Sequence, residues 1–398
     1  MKRRSLIIFL ESYVAGGSDQ VVAFMLPKLA KYVAIDLFVN KRFDSAVLRA
    51  KPLPKNVRIH YYTLVTVAEL VGWSRGAKSV WHRYLRRFLG LLIRYPWLLF
   101  QAVYFFFRFR ALNPSAVWVN NGGYPGGDTC RIATIAASWL GNCRVIHVVH
   151  SMAQSPKLLL KPAEWFFDRL LDKSAIFVAV SNAVAKSIVR ERAIRQVPVV
   201  IFNGLEDNPP QRVESIRAKL NLLQVGCLDR NKNQALSILA LGILKRQGLC
   251  SVELTLAGKE VEPGYKAELE NLAEDLGVSK QVKFSGFIKN MTDSYAQCDL
   301  LVLTSFVEGL PLCIIEAMRA GRAVVATRAG GVAELIVDGK TGFLLRNYLP
   351  EELATVLQNL EKKKEILVDL GNAARLRYLA EFQLSKQVSR YANLLEVD

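Results

Sequence analysis

Short runs rich in β-branched residues alternate with helix-patterned stretches along most of this chain, and no other feature narrows its fold as far. A strand that is apolar throughout must be covered on both faces. Parallel sheets achieve this with the helices that connect their strands. The alternation predicts strands over 6–11, 35–40, 57–62, 116–120, 144–150 and 176–181 in the first half. In the second half it predicts them over 222–228, 251–257, 281–285, 300–304 and 323–327. Helices fit between them, for example over 19–31, 234–246, 266–276 and 312–320. The fold class is therefore α/β, and the two halves look like two copies of one architecture.

A chain of 398 residues suits two or three domains, and 51% hydrophobic residues can fill complete cores. The segment VPVVIFNGLEDNPPQ (197–211) ends a strand and then turns polar and proline-rich. It sets a first domain over 1–203 and a second over 204–375. A terminal helical segment over 376–398 is expected to pack back on the first domain. The six cysteines are scattered without a CxxC pair, which fits reduced thiols in a cytoplasmic protein. The apolar stretch after MKRRS reaches Glu11 after five residues, short for a signal peptide, and reads as a first strand.

The formal charge of +18 is unevenly spread, with a balance of +19 over residues 1–203 and −1 over 204–398. The first half is thus expected to face something anionic, with a generally basic soluble surface as the plainer alternative. Residues 83–110 (RYLRRFLGLLIRYPWLLFQAVYFFFRFR) are apolar and rimmed with arginine. The twenty residues 88–107 have the length to span a bilayer. However, Arg94, Pro96 and Gln101 interrupt the run, and it lies between two strands of one sheet. The preferred reading is helices that pack on the sheet and present aromatics and arginines to an anionic membrane surface. An ordinary buried helix is the alternative. The aromatics cluster in this one segment instead of spreading as a stacking platform, so nucleic acid is not an expected partner.

The chemistry concentrates in FVEGLPLCIIEAMRAGR (306–322), which follows the strand pattern DLLVLTS. Glu308 falls in the loop at the carboxyl end of a strand, where open α/β sheets bind ligands. Gly309 allows close backbone approach, and Pro311, after Leu310, suits the first turn of a helix. That helix N-terminus offers free N–H groups and a positive dipole end to a phosphate. Glu316 lies about two turns further in, where it can meet a sugar or ribose hydroxyl. Gly330–Gly331 and Glu334 follow the next strand as a second glycine loop.

The run resembles the donor half of glycosyltransferase family 4, enzymes of the GT-B fold in which two Rossmann-like domains face each other across a cleft. The resemblance covers most of the chain and is sharpest over 222–345. It implies a nucleoside-diphosphate sugar as donor, linked to UDP or GDP, and retention of anomeric configuration. It also implies that Glu308 contacts the donor sugar and Glu316 the ribose hydroxyls. QVGCLDRNKNQ (224–234) resembles the family's loop for the donor diphosphate, with Lys232 in the lysine place. Cys227 stands where arginine is usual, and Arg230 is the nearest candidate to supply the missing charge. In AGGSDQVV (15–22), Gly16 and Gly17 match a glycine turn beside the donor phosphates, with a plain strand-to-helix turn as the alternative. His150 matches a cleft position near the transferred sugar, while His147 reads as packing. NNGGYPGGD (120–128) is a loop that could hold acceptor.

No DxD, Walker lysine motif, HExxH or GxSxG occurs, and four histidines form no cluster, so neither metal nor cofactor is expected. The reading is a retaining, metal-independent hexosyltransferase acting on a saccharide or lipid-linked acceptor. It would serve cell-envelope polysaccharide or lipopolysaccharide biosynthesis as a peripheral protein on the inner face of the cell membrane. The alternatives are a non-catalytic sugar-nucleotide or membrane-binding subunit, encouraged by Cys227, and an epimerase or phosphorylase of the same fold.

Overall fold

The computed structural model describes residues 5–11, 16–43, 53–67, 69, 80–209 and 219–396, with backbone alone for 80, 82–92 and 159. Two compact units emerge. One comprises Met1–Phe202 with Gln387–Asp398, and the other Asn203–Lys386.

The first unit is built on seven parallel strands: β1 (Ser5–Leu10), β2 (Ala34–Asn40), β3 (Val57–Tyr62), β4 (Ala116–Asn121), β5 (Arg144–Val149), β6 (Ile176–Ala179) and β7 (Val199–Val200). Their order is β3-β2-β1-β4-β5-β6-β7. Helices α1 (Gly17–Leu29), α2 (Val80–Leu112), α3 (Asp128–Ser138), α4 (Lys161–Ser174) and α5 (Asn182–Glu191) connect them. The second unit has six parallel strands: β8 (Leu220–Val225), β9 (Val252–Ala257), β10 (Val282–Gly286), β11 (Leu300–Leu303), β12 (Ala323–Thr327) and β13 (Gly342–Leu345). Their order is β10-β9-β8-β11-β12-β13. Its helices are α6 (Gln234–Arg246), α7 (Tyr265–Asp275), α8 (Thr292–Gln297), α9 (Leu312–Arg319), α10 (Val332–Leu335), α11 (Pro350–Lys362) and α12 (Ile366–Glu381).

Both sheets run outward in opposite directions from a central pair, β1/β4 in one and β8/β11 in the other. In doubly wound sheets ligands bind beyond the carboxyl ends of the strands at this reversal. The two Rossmann-like halves expected from the strand pattern are present, and the expected strands lie within a few residues of those observed. The exception is β13, too short and glycine-led to stand out by pattern. The last helix, α13 (Leu384–Leu395), places Tyr391 flat on Trp118 at 4.5 Å in the first unit's core.

Residues 83–110 depart from the expectation in one respect. They belong to a single helix, α2, which runs through Pro96. One stripe of it faces inward: Leu98, Ala102, Phe105 and Phe109 are buried, the last two against Phe9. Phe105 is therefore core and cannot insert into a bilayer. Trp97 is tied inward too, its indole N–H donating to the Val65 carbonyl at 2.8 Å. Arg94 faces Asp128 and Glu164 at 3.3 and 3.4 Å rather than solvent. The opposite side leaves Ile93, Leu99, Phe100, Val103 and Phe107 exposed. The side chains of Arg83, Arg86 and Arg87 lie outside the described residues. Among the described residues no helix is long and apolar enough to cross a membrane.

Candidate active site

In the second unit two loops meet at the sheet reversal. The loop after β8 (226–233) and the loop after β11 (304–311) are stitched together by backbone and side chain. Phe306 N donates to the Asn231 carbonyl at 2.8 Å, Val307 N to Asn231 Oδ1 at 3.1 Å, and Thr304 Oγ1 to the Asn233 carbonyl at 2.8 Å. Gly226 packs closely here: a Cβ would come within 3.2–3.3 Å of the Lys232 side-chain carbons. The missing side chain lets the lysine stem lie along the end of β8.

This arrangement brings Lys232 Nζ to 2.6 Å from Glu308 Oε1. Burial alone would lower the lysine's pKa, but the adjacent carboxylate outweighs it and holds the ammonium above its usual range. Glu308 is only 8% exposed, so the pair is a largely desolvated ion pair at the mouth of the sheet. Leu310 is buried and Pro311 caps the start of α9, fixing the angle at which that helix leaves the loop. Glu316, on α9, accepts a hydrogen bond of 2.7 Å from the Tyr295 hydroxyl. Burial raises the Glu316 carboxyl above its usual range, against this bond, which favours the ionised form. Cys313 feels both glutamates. Burial, then Glu308, push its thiol up to about 12, with Lys232 opposing.

In the first unit, Gly16 precedes α1 in extended conformation and Gly17 opens the helix. His150, one residue beyond β5, bonds through Nε2 to Asn120 Oδ1 at 2.7 Å. The amide of Asn120 in turn reaches the Ser18 carbonyl at 3.4 Å, so its oxygen faces the ring. An amide oxygen only accepts, so Nε2 carries the proton and Nδ1 is an acceptor. Nδ1 is buried and has no partner among the described residues. Burial pushes the imidazole down to about 4, so the ring is neutral near pH 7. His147 is fully buried between Thr134 and Asn121, a packing residue as expected.

Residues 210–377 match the family described as glycosyl transferases group 1. The chain has the GT-B fold, and its second unit is similar to these glycosyltransferases. A D-inositol 3-phosphate glycosyltransferase of Paenarthrobacter aurescens is 26% identical over 264 residues, which are 61% of this chain and 64% of that protein, less than two thirds of its length. A GalNAc-α-(1→4)-GalNAc-α-(1→3)-diNAcBac-PP-undecaprenol α-1,4-N-acetyl-D-galactosaminyltransferase of Campylobacter jejuni is 27% identical over 67% of this chain and 72% of its own. In fold, the chain superposes on Anabaena Alr3699/HepE in complex with UDP, with a TM-score of 0.75 at 20% identity over 99% of both chains. It also superposes on WaaG, a glycosyltransferase involved in lipopolysaccharide biosynthesis, with a TM-score of 0.67 at 15% identity over 98% of this chain and 99% of that one.

Within the second unit the structure gathers Lys232, Glu308, Gly309, Leu310, Pro311 and Glu316 around one sheet end. It does not add Arg230 to them. That guanidinium is 62% exposed and held at 2.8 Å by Glu262 and Glu268, over the ring of Tyr265. Two residues escaped the sequence reading. Tyr295 carries no motif signal, since it lies on α8, 21 residues before the glutamate it touches. Cys313 was visible only as an apolar helix position. Among the described residues, no group of three or more His, Cys, Asp or Glu is placed to hold a metal ion.

Proposed function

We propose that this glycosyltransferase moves a sugar from a UDP- or GDP-linked donor to a saccharide or lipid-linked acceptor with retention of configuration, as family 4 enzymes do. The observation that carries the reading is the Lys232–Glu308 pair beside the start of α9 at the sheet reversal. Breaking the anomeric C–O bond leaves charge on the diphosphate and an oxocarbenium-like sugar. Lys232 and the free N–H groups at the start of α9 stabilise the departing phosphate without a metal. Glu308 holds the donor sugar, Gly309 to Pro311 line its approach, and Glu316 takes the ribose hydroxyls. Gly16 and Gly17 are assigned to the phosphates, and His150 accepts a hydrogen bond from a sugar hydroxyl through Nδ1. The acceptor hydroxyl attacks on the face the leaving group vacates, and its proton passes to the departing phosphate oxygen.

Two similar proteins support this reading: HepE has been captured with UDP-glucose, and the Campylobacter relative acts on an undecaprenol-linked saccharide. We extend it to a role in cell-envelope polysaccharide or lipopolysaccharide synthesis, on the cytoplasmic face of the membrane. The arginine-rich helix α2, which has no acidic residue, supports contact with an anionic membrane. The presence of Cys227 in place of arginine favours a second reading, a non-catalytic subunit that binds the sugar nucleotide. Release of UDP or GDP from a panel of their sugars, with and without saccharide acceptors, separates the two. Release at a catalytic rate supports the enzyme. Tight nucleotide binding without turnover supports the subunit. Absence of both rejects the donor site.

A further inference from the structure

Two loops run side by side beyond the carboxyl ends of β8 and β9. Gly226 N donates to the Ala257 carbonyl at 3.0 Å, and Leu228 N to the Lys259 carbonyl at 2.9 Å. Their contact is so close that a Cβ on Gly258 would lie 1.8 Å from the Gly226 carbonyl oxygen. The consequence is that Cys227 and Lys259 occupy neighbouring positions on adjacent loops. The half-buried thiol of Cys227 lies in the field of two ammonium groups, those of Lys232 and Lys259, opposed by Asp229. The other nearby cations are committed elsewhere: Lys232 to Glu308, and Arg230 to Glu262 and Glu268. Lys259 is exposed and, among the described residues, has no carboxylate partner.

We infer that Lys259 supplies the second positive charge for the donor diphosphate, from the β9 loop, in place of the arginine that Cys227 replaces on the β8 loop. The inference rests on the donor-site reading above and names a residue which that reading lacks. A diphosphate carries more charge than one lysine already paired with a carboxylate can balance. A flexible, unpaired ammonium one strand away can close on the second phosphate without disturbing Lys232. The small side chain at 227 leaves it room, whereas an arginine there would compete for the same place.

The test is calorimetric titration of the whole chain with UDP, GDP, uridine and guanosine at fixed salt. Lys259→Ala should bind whichever diphosphate the parent prefers about tenfold or more weakly, since a charge-assisted contact is lost. It should bind the matching nucleoside like the parent. Lys259→Arg should bind like the parent. Adding Cys227→Arg to Lys259→Ala should recover most of the loss. Unchanged diphosphate affinity in Lys259→Ala overturns the inference while leaving the donor site standing. An equal loss on nucleoside and diphosphate overturns it too, because the residue would then act on the fold of the loop. A parent that binds none of the four ligands removes the donor-site reading and this inference together.

Discussion

Lys232 Nζ and Glu308 Oε1 stand 2.6 Å apart although 76 positions separate them in the chain. Each belongs to a loop leaving one strand of the central pair, so the order of the sheet, not local sequence, creates the contact. The pair is mostly out of water, where removing one partner strands the other.

Lys232→Ala should therefore lower turnover by about a hundredfold, the scale for losing a transition-state charge contact. Glu308→Ala should act mainly on turnover and on discrimination between donor sugars, with nucleotide affinity largely kept. Steady-state rates and nucleotide titrations on both variants check this. Parent-like rates in both would remove the pair from the reaction.

Glu316→Ala should weaken nucleotide binding by roughly 1.5–3 kcal/mol, the scale of a hydrogen bond to a charged group. Tyr295→Phe removes the hydroxyl that orients that carboxylate and should cost about 0.5–1.5 kcal/mol. The discriminating measurement uses 2′-deoxy and 3′-deoxy UDP or GDP. If Glu316 binds the ribose, the penalty for at least one deoxy ligand shrinks in Glu316→Ala. A penalty identical to the parent's for both would place the ribose elsewhere.

Arg230→Ala should leave turnover and nucleotide affinity close to the parent's. Its guanidinium is solvent-exposed and engaged with Glu262 and Glu268, and surface pairs of this kind contribute about 0–1 kcal/mol. A hundredfold drop in rate would mean that the side chain leaves those partners to reach the substrate.

Much of this was readable from the chain because buried parallel strands must be apolar and the turns between them must be glycine- or proline-bearing. The strand after residue 300 and the EGLP turn show both features at once, so Glu308 could be placed at a strand end. Arg230 could not be placed, because its partners Glu262 and Glu268 sit just before and on α7, which linear distance alone does not bring near. Tyr295 is invisible for the same reason. In α2 the difficulty is different. Inward and outward stripes are both apolar, so composition cannot tell Phe105, which packs on Phe9, from Phe107, which is exposed.

Acid should destabilise the first unit in two stages. His147 and His150 are held at about 3 and about 4, below the 6.5 of a free imidazole, chiefly by burial. The unfolded chain then binds protons that the folded chain refuses. Stability is full above pH 6.5 and declines as the pH falls toward 4, by at most about 1.4 kcal/mol per pH unit per group. Glu164 is held at about 2 against the pull of burial by Arg131 and Arg192, so its contribution is intact above 4.5 and lost only below it. Melting temperatures from pH 7.5 to 5 should fall, and fall less steeply in His150→Gln. Identical slopes in parent and variant would show that His150 is not held neutral by the fold.

The outward stripe of α2 should dock on an anionic membrane. The helix holds six arginines, of which Arg94 turns inward to Asp128 and Glu164, and no acidic residue in 33 positions, and Phe100, Val103 and Phe107 line an open apolar pocket of about 510 Å³. Each basic group near an anionic surface contributes about 1 kcal/mol within a Debye length of about 8 Å. The exposed rings add an apolar contribution that salt does not screen. Binding to phosphatidylglycerol-containing liposomes should rise with anionic lipid and weaken, without vanishing, at high salt. Arg110→Glu should reduce the low-salt binding. Phe100→Ser with Phe107→Ser should remove what survives high salt, and neither change should touch UDP or GDP affinity, since both lie in the first unit and the assigned nucleotide contacts lie mainly in the second. Phe105 is no part of this surface, so Phe105→Ser should lower the melting temperature instead. If the parent ignores anionic liposomes at low salt, the stripe serves another contact and a lipid-linked acceptor loses its main support.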